Sequence, residues 1–116
     1  MDIRNNKLFL GGVSAETLAA EYGTPLYVYD QAVLADRFAE LRACLPLEKV
    51  RILYACKANT GVAVMRALRE AGAGIDAVSP GEVFLALRAG FAAEDILYTG
   101  NNSSEADLLF CLEQGG

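Results

Sequence analysis

Apolar residues fall along this chain in two rhythms. Short runs of strand formers, Ile52-Leu53-Tyr54-Ala55-Cys56, Ile75–Val78 and Ile96–Thr99, are separated by longer stretches in which apolar residues recur at helical spacing. Runs this short do not make buried helices, and their nearly continuous apolar character marks strands covered on both faces. The pattern predicts strand Ile52–Ala55, a helix from about Gly61 to Ala71, strand Ile75–Val78, helix Pro80–Ala89, strand Ile96–Thr99 and helix Ser104–Glu113. Successive strands lie about twenty residues apart, the size of a β/α unit with short loops. Only crossover helices join strands at that spacing, so the sheet is parallel. Gly72, Gly74 and Gly90 stand where helix C-termini are needed.

The segment before these units has a different character. Lys7–Val13 reads as a small strand and turn broken at Gly11-Gly12, and Ser14 as the cap of a short helix through about Tyr22, stopped by Gly23. Leu26-Tyr27-Val28-Tyr29 is a compact β-prone run. Asp30 caps a helix in which Leu34, Phe38, Leu41 and Leu45 form one stripe, opposite Asp36, Arg37, Glu40 and Arg42, until Pro46 ends it. That stripe is expected to pack on a sheet. An open doubly wound sheet and a closed (β/α)8 barrel both satisfy the pattern. A barrel takes about 250 residues, so on that reading the chain is the N-terminal part of one. Its last residues, Glu113-Gln114-Gly115-Gly116, stop where another strand is expected.

Charge and composition narrow the function. Ten Lys plus Arg against fifteen Asp plus Glu give a net charge of −5, scattered along the helices, which excludes nucleic acid as a partner. No apolar run approaches the roughly eighteen residues that span a bilayer, and Met1–Leu10 lacks the regions of a signal peptide, so no membrane association and a cytoplasmic location are expected. Cys44, Cys56 and Cys111 are odd in number, dispersed and set among apolar residues, as buried free thiols are. With no histidine in the chain and no close cysteine pair, the sequence argues against a zinc site and against Ser-His and Cys-His catalysis.

The chemistry that remains gathers at strand ends, where parallel sheets of either kind place their functional groups. Lys57 follows the first strand. A lysine in that position is commonly a solvated residue that discourages strand pairing. At the mouth of an apolar core, however, partial desolvation lowers an amine's pKa and makes it a nucleophile toward carbonyls. Asp76 lies inside the second strand, where a carboxylate is costly to bury without a partner, and Lys57 or a cationic ligand would serve; an edge residue facing water is the competing reading. Ser79-Pro80-Gly81-Glu82 has the form of a capping box, with Glu82 reaching back to the Ser79 amide. Ser104 and Asp107 repeat the signature. Gly100-Asn101-Asn102 is either an exposed turn or a set of amides presented to a ligand.

Read together and in order, these motifs resemble the fold-type III, alanine-racemase-like pyridoxal-phosphate enzymes, and within them the diaminopimelate decarboxylase family. The motifs are Gly23-Thr24-Pro25-Leu26-Tyr27-Val28-Tyr29-Asp30, Tyr54-Ala55-Cys56-Lys57-Ala58-Asn59, Asp76-Ala77-Val78-Ser79-Pro80-Gly81-Glu82 and Gly100-Asn101-Asn102. Cys56 stands where valine is more usual, a buried change of similar volume that is expected to leave the chemistry untouched, and Ser103-Ser104 departs from a lysine-containing loop. The resemblance implies an α/β fold that is the N-terminal part of a parallel (β/α)8 barrel. Residues 1–29 would be a strand and helix segment associated with a separate β-domain, leaving the Lys7–Leu10 strand without partners, and residues 30–116 the first helix and three β/α units. It implies pyridoxal 5'-phosphate as cofactor, Lys57 as the Schiff-base lysine, Asp76 beside the cofactor stabilising charge, and Glu82 one shell further out. The implied activity is decarboxylation of meso-2,6-diaminopimelate, a small amino acid substrate, to L-lysine by a homodimer. The ring-stacking histidine, phosphate loop, ring-nitrogen glutamate and partner-supplied cysteine would lie beyond Gly116, and a 116-residue piece alone would be nearly inactive. Ornithine or carboxynorspermidine decarboxylases, amino acid racemases and a noncatalytic module with a Lys57–Asp76 ion pair are the alternatives. Against a racemase, Asn59 is followed by Thr60-Gly61.

Overall fold

The computed structural model describes residues 1–115, which form two sheets linked by helical segments. Strands β1 (Asp2–Arg4), β2 (Lys7–Leu10) and β3 (Val13–Ser14) make an antiparallel meander in that order. Asn5 and Asn6 take left-handed angles, φ 50° and 60°, as a two-residue hairpin turn requires. The Lys7–Leu10 strand therefore does not lack partners. Tight turns on either side fold its neighbours back onto it, pairing Ile3 with Leu8 and Leu10 with Val13.

Helix α1 (Ala15–Tyr22) begins where expected, with Ser14 Oγ accepting the Thr17 amide at 3.1 Å, and stops at Gly23 with φ 81°. Leu26–Tyr29 forms no strand. Its β-prone side chains run exposed, Tyr27 at 88%, because strand propensity acts only where a neighbouring strand is there to pair with. Asp30 caps α2 (Gln31–Ala43) by accepting the Ala32 amide at 3.0 Å. Leu34 and Phe38 pack against Val64, Leu68 and Ala73, but Leu41 stays half exposed and Leu45 lies past the helix end. The stripe thus docks mainly on the next helix rather than broadly on a sheet.

Beyond it, β4 (Leu53–Ala55), β5 (Gly74–Ala77) and β6 (Ile96–Tyr98) form a parallel sheet in sequential order. They alternate with α3 (Val62–Glu70), α4 (Pro80–Arg88) and α5 (Glu105–Gly115). The three predicted β/α units are all present, with boundaries within two residues of expectation; Gly116 lies outside the described residues. Tyr54 pairs with Ile75, and Ile75 with Ile96, so these side chains share one face of the sheet. Met65 of α3 and Val83 and Ala86 of α4 close over that face, and with Ile75, Ala77 and Phe91 they form the main core. Fully buried Met65 and Ile75 each contribute on the order of 1.5–3 kcal/mol. Asp76 and Leu97 share the opposite face, where Leu97 is half exposed. The functional groups sit on the open side.

Gly72 and Gly90 end α3 and α4 with left-handed angles, φ 100° and 94°. Gly74 does not end a helix. It opens β5, and a Cβ there would stand 2.8 Å from the Asp95 carbonyl oxygen, so its small size lets the β5 backbone approach the turn before β6. Of the cysteines, Cys56 alone is fully buried; Cys44, the C-cap residue of α2, is exposed, and Cys111 is half-buried, so only one of the three thiols expected to be buried is so. Among the described residues no helix is long and apolar enough to cross a membrane.

Candidate active site

Strand β4 ends in a single 3-10 turn, Cys56–Ala58, with Lys57 at its centre. Three hydrogen bonds hold the turn: the Asn59 amide donates to the Cys56 carbonyl at 3.0 Å, the Tyr54 hydroxyl to the Asn59 carbonyl at 3.2 Å, and the Gly61 amide to Asn59 Oδ1 at 2.8 Å. Lys57 itself is exposed, and among the described residues nothing accepts from its ammonium. The backbone under the amine is fixed, but the partial desolvation expected of the amine is not met among the described residues: the side chain stands in solvent.

Asp76 is half-buried on the open face of β5, in register with Ala55. The expected ion pair with Lys57 does not form. The partner of Asp76 is Thr99, whose hydroxyl donates to Oδ1. Thr99 follows β6 and keeps its ladder bond, its amide donating to the Ala77 carbonyl at 2.8 Å, which holds it beside Asp76. Local patterning misses Thr99; the sign that could have revealed it is that Thr99 stands two residues beyond Leu97, on the face that Asp76 uses.

Ser79 caps α4 as expected, accepting the Glu82 amide at 3.3 Å. Glu82 does not complete the box. Its Oε2 accepts the Val78 amide at 2.7 Å, one residue before the cap, and lies 3.4 Å from Cys56 Sγ. That thiol is also 3.4 Å from the Asp76 carbonyl oxygen. Burial, reinforced by the Glu82 carboxylate, pushes the Cys56 thiol up to about 12. Burial likewise raises the Tyr54 phenol. The second signature folds as a full reciprocal box, with the Ser104 amide donating to Asp107 at 2.9 Å and the Asp107 amide to Ser104 Oγ at 3.2 Å.

The loop after β6 folds over its own strand. Asn102 is left-handed, φ 53°, and the Tyr98 and Ser103 hydroxyls are 2.7 Å apart across Gly100, where a Cβ would collide with both. Lys57, Asp76 and Thr99 thus lie at the C-terminal ends of three adjacent parallel strands, with Gly100–Ser103 extending the same rim.

A sequence profile described as the pyridoxal-dependent decarboxylase, pyridoxal binding domain, matches residues 31–115. The chain belongs to this decarboxylase family. It is 51% identical over 110 residues to the diaminopimelate decarboxylase of Methanothermobacter thermautotrophicus, covering 93% of this chain and 26% of that protein. Among solved structures, the diaminopimelate decarboxylase of M. jannaschii in complex with L-lysine aligns with a TM-score of 0.82 and 31% identity over 97% of this chain and 27% of that one. The lysine/ornithine decarboxylase of Vibrio vulnificus, in complex with putrescine, aligns with a TM-score of 0.81 and 30% identity, over 86% of this chain and 27% of that one. The chain therefore spans about a quarter of the length of these relatives. Its parallel sheet is the N-terminal part of the barrel that the family shares, and the choice between barrel and doubly wound sheet is settled for the barrel. The family's cofactor is pyridoxal phosphate. The residues here fit its aldehyde: a primary amine without an ion-pair partner among the described residues, on a braced turn, with a carboxylate on the neighbouring strand.

Proposed function

We propose that this chain carries the lysine-bearing part of a pyridoxal-phosphate enzyme that decarboxylates meso-2,6-diaminopimelate to L-lysine. The observation that carries the reading is the exposed Lys57 amine, without an ion-pair partner among the described residues, at the end of β4 in a chain 51% identical to a diaminopimelate decarboxylase. Lys57 would attach the cofactor covalently through its amine. Asp76, on the neighbouring strand, would stabilise positive charge on the attached cofactor, with Thr99 fixing the carboxylate's orientation. Bound pyridoxal phosphate supplies the electron sink that takes up the electron pair left when carbon dioxide departs.

The division at residue 30 is part of this proposal: residues 1–29, with their antiparallel meander, would associate with a β-domain, and residues 30–116 would build the barrel wall. So are a homodimeric, cytoplasmic enzyme and the near-inactivity of these 116 residues alone. The last is supported by the open sheet, whose β4 and β6 each have one strand partner among the described residues.

The test uses the polypeptide at its full natural length. Borohydride reduction after adding pyridoxal phosphate should leave the adduct on Lys57, and meso-diaminopimelate should yield equal amounts of lysine and carbon dioxide. An adduct at another residue overturns the reading. Turnover of ornithine or lysine in place of diaminopimelate would favour a second reading, a decarboxylase of ornithine or lysine, for which the likeness to the Vibrio vulnificus enzyme speaks.

A further inference from the structure

Cys56 directly precedes Lys57, and it is the one member of the turn whose side chain is wholly interior, with no exposed surface. Its sulfur lies 3.4 Å from Glu82 Oε2 and 3.4 Å from the Asp76 carbonyl oxygen. A thiol has one proton to give, and the carboxylate is the stronger acceptor. Glu82 takes a second bond from the Val78 amide at 2.7 Å, while its own amide donates to Ser79 Oγ. One carboxylate therefore joins three pieces of backbone: the turn that carries Lys57, the segment just after Asp76's strand, and the first turn of α4. Among the described side-chain hydrogen bonds, the two thiol contacts are the links between the Lys57 turn and this region: directly to the Asp76 carbonyl of β5, and through Glu82 to the Val78 amide just beyond it.

We propose that Cys56 is a positioning residue, its thiol donating to Glu82 and so holding the turn that presents Lys57 in fixed relation to the strand that presents Asp76. This rests on the reading of Lys57 as the cofactor lysine. From the sequence alone a neutral exchange with valine is expected, since packing would be served by any side chain of similar volume; the two thiol contacts speak against that in this chain, because the tie needs a donor. Valine fills the space without one, and serine donates while filling less. The two substitutions therefore separate the hydrogen bond from the volume.

The experiment compares wild type, Cys56→Val and Cys56→Ser at full natural length, loaded with pyridoxal phosphate. Readouts are the visible circular dichroism of the bound cofactor, which reports its orientation, and its release rate into an apoenzyme trap. Cys56→Val should release the cofactor about tenfold faster, the equivalent of one hydrogen bond to a charged acceptor, with weakened visible dichroism. Cys56→Ser should recover most of both signals although it packs less well. If Cys56→Val matches wild type in dichroism and release, or if the serine variant is as impaired as the valine one, the tie does not position the lysine. If wild type itself shows no borohydride adduct on Lys57, the proposed function falls and this inference with it, an outcome distinct from a wild-type adduct with unaffected variants.

Discussion

The Thr99 hydroxyl donates to Asp76 Oδ1, binding the carboxylate of one strand to the residue that leaves the next. Asp76 is half-buried and has no ion-pair partner among the described residues, and a freely rotating carboxylate would be a poor electrostatic partner for a cofactor. Thr99→Val keeps the shape and removes the donor. It should weaken pyridoxal phosphate binding about tenfold, at the lower end for a hydrogen bond to a charged group, while Thr99→Ser stays near wild type. Absorbance titration of the full-length protein measures both.

Gly100 is required for a steric reason. A Cβ there would enter the space of the Tyr98 and Ser103 hydroxyls, which hold the loop onto β6. Gly100→Ala should destabilise by about 1–3 kcal/mol, as overpacking does. Adding Tyr98→Leu removes the ring tip that the new methyl strikes, so the double variant should be more stable than the sum of the single losses. Urea unfolding of the four proteins gives the coupling.

Alkali should unfold the chain partly through Cys56. Burial and Glu82 raise the folded thiol from 9.0 to about 12, so the folded state holds this proton more tightly than the unfolded state does. That contribution is fully present below pH 9 and is lost as the pH rises toward 12. The Tyr54 phenol, also raised by burial, acts in the same direction at higher pH. Between pH 8 and 10.5, the stability of Cys56→Val should fall less steeply than that of wild type in thermal or urea unfolding. Equal slopes would mean that the thiol is not shielded in solution.

What could be read from the sequence follows from which forces are local. The β/α units were legible because each strand is covered by helices on one face and carries enough apolar residues on the other to read as a continuous run. Lys57 and Asp76 were legible as candidates because a strand end and a carboxylate amid apolar residues are visible in the order of the letters. Leu26–Tyr29 misled because propensity is silent about whether a partner strand exists. Gly74 misled because a glycine needed for close approach and one needed to end a helix look alike. Thr99 escaped because its bond to Asp76 crosses between strands.

The two capping signatures make the same point and yield the last prediction. Ser79-Glu82 and Ser104-Asp107 have the same spacing, yet Asp107 returns to its own cap, whereas Glu82 reaches the Val78 amide and the Cys56 thiol. The longer Glu82 side chain can reach past the cap; the shorter aspartate closes on it. The Ser104 amide and hydroxyl lower the Asp107 pKa below its ordinary 3.8. Its contribution is therefore present above that value and is lost as the pH falls through the lowered one. Asp107→Asn should shrink the stability difference between pH 6 and pH 3 and fray α5, read as helical circular dichroism. Glu82→Gln at neutral pH should instead disturb the Lys57 turn, read as loss of visible dichroism from bound pyridoxal phosphate, while α5 stays intact. If both variants affected only helix content, Glu82 would be a cap like Asp107 and its connection to the lysine turn would have no consequence.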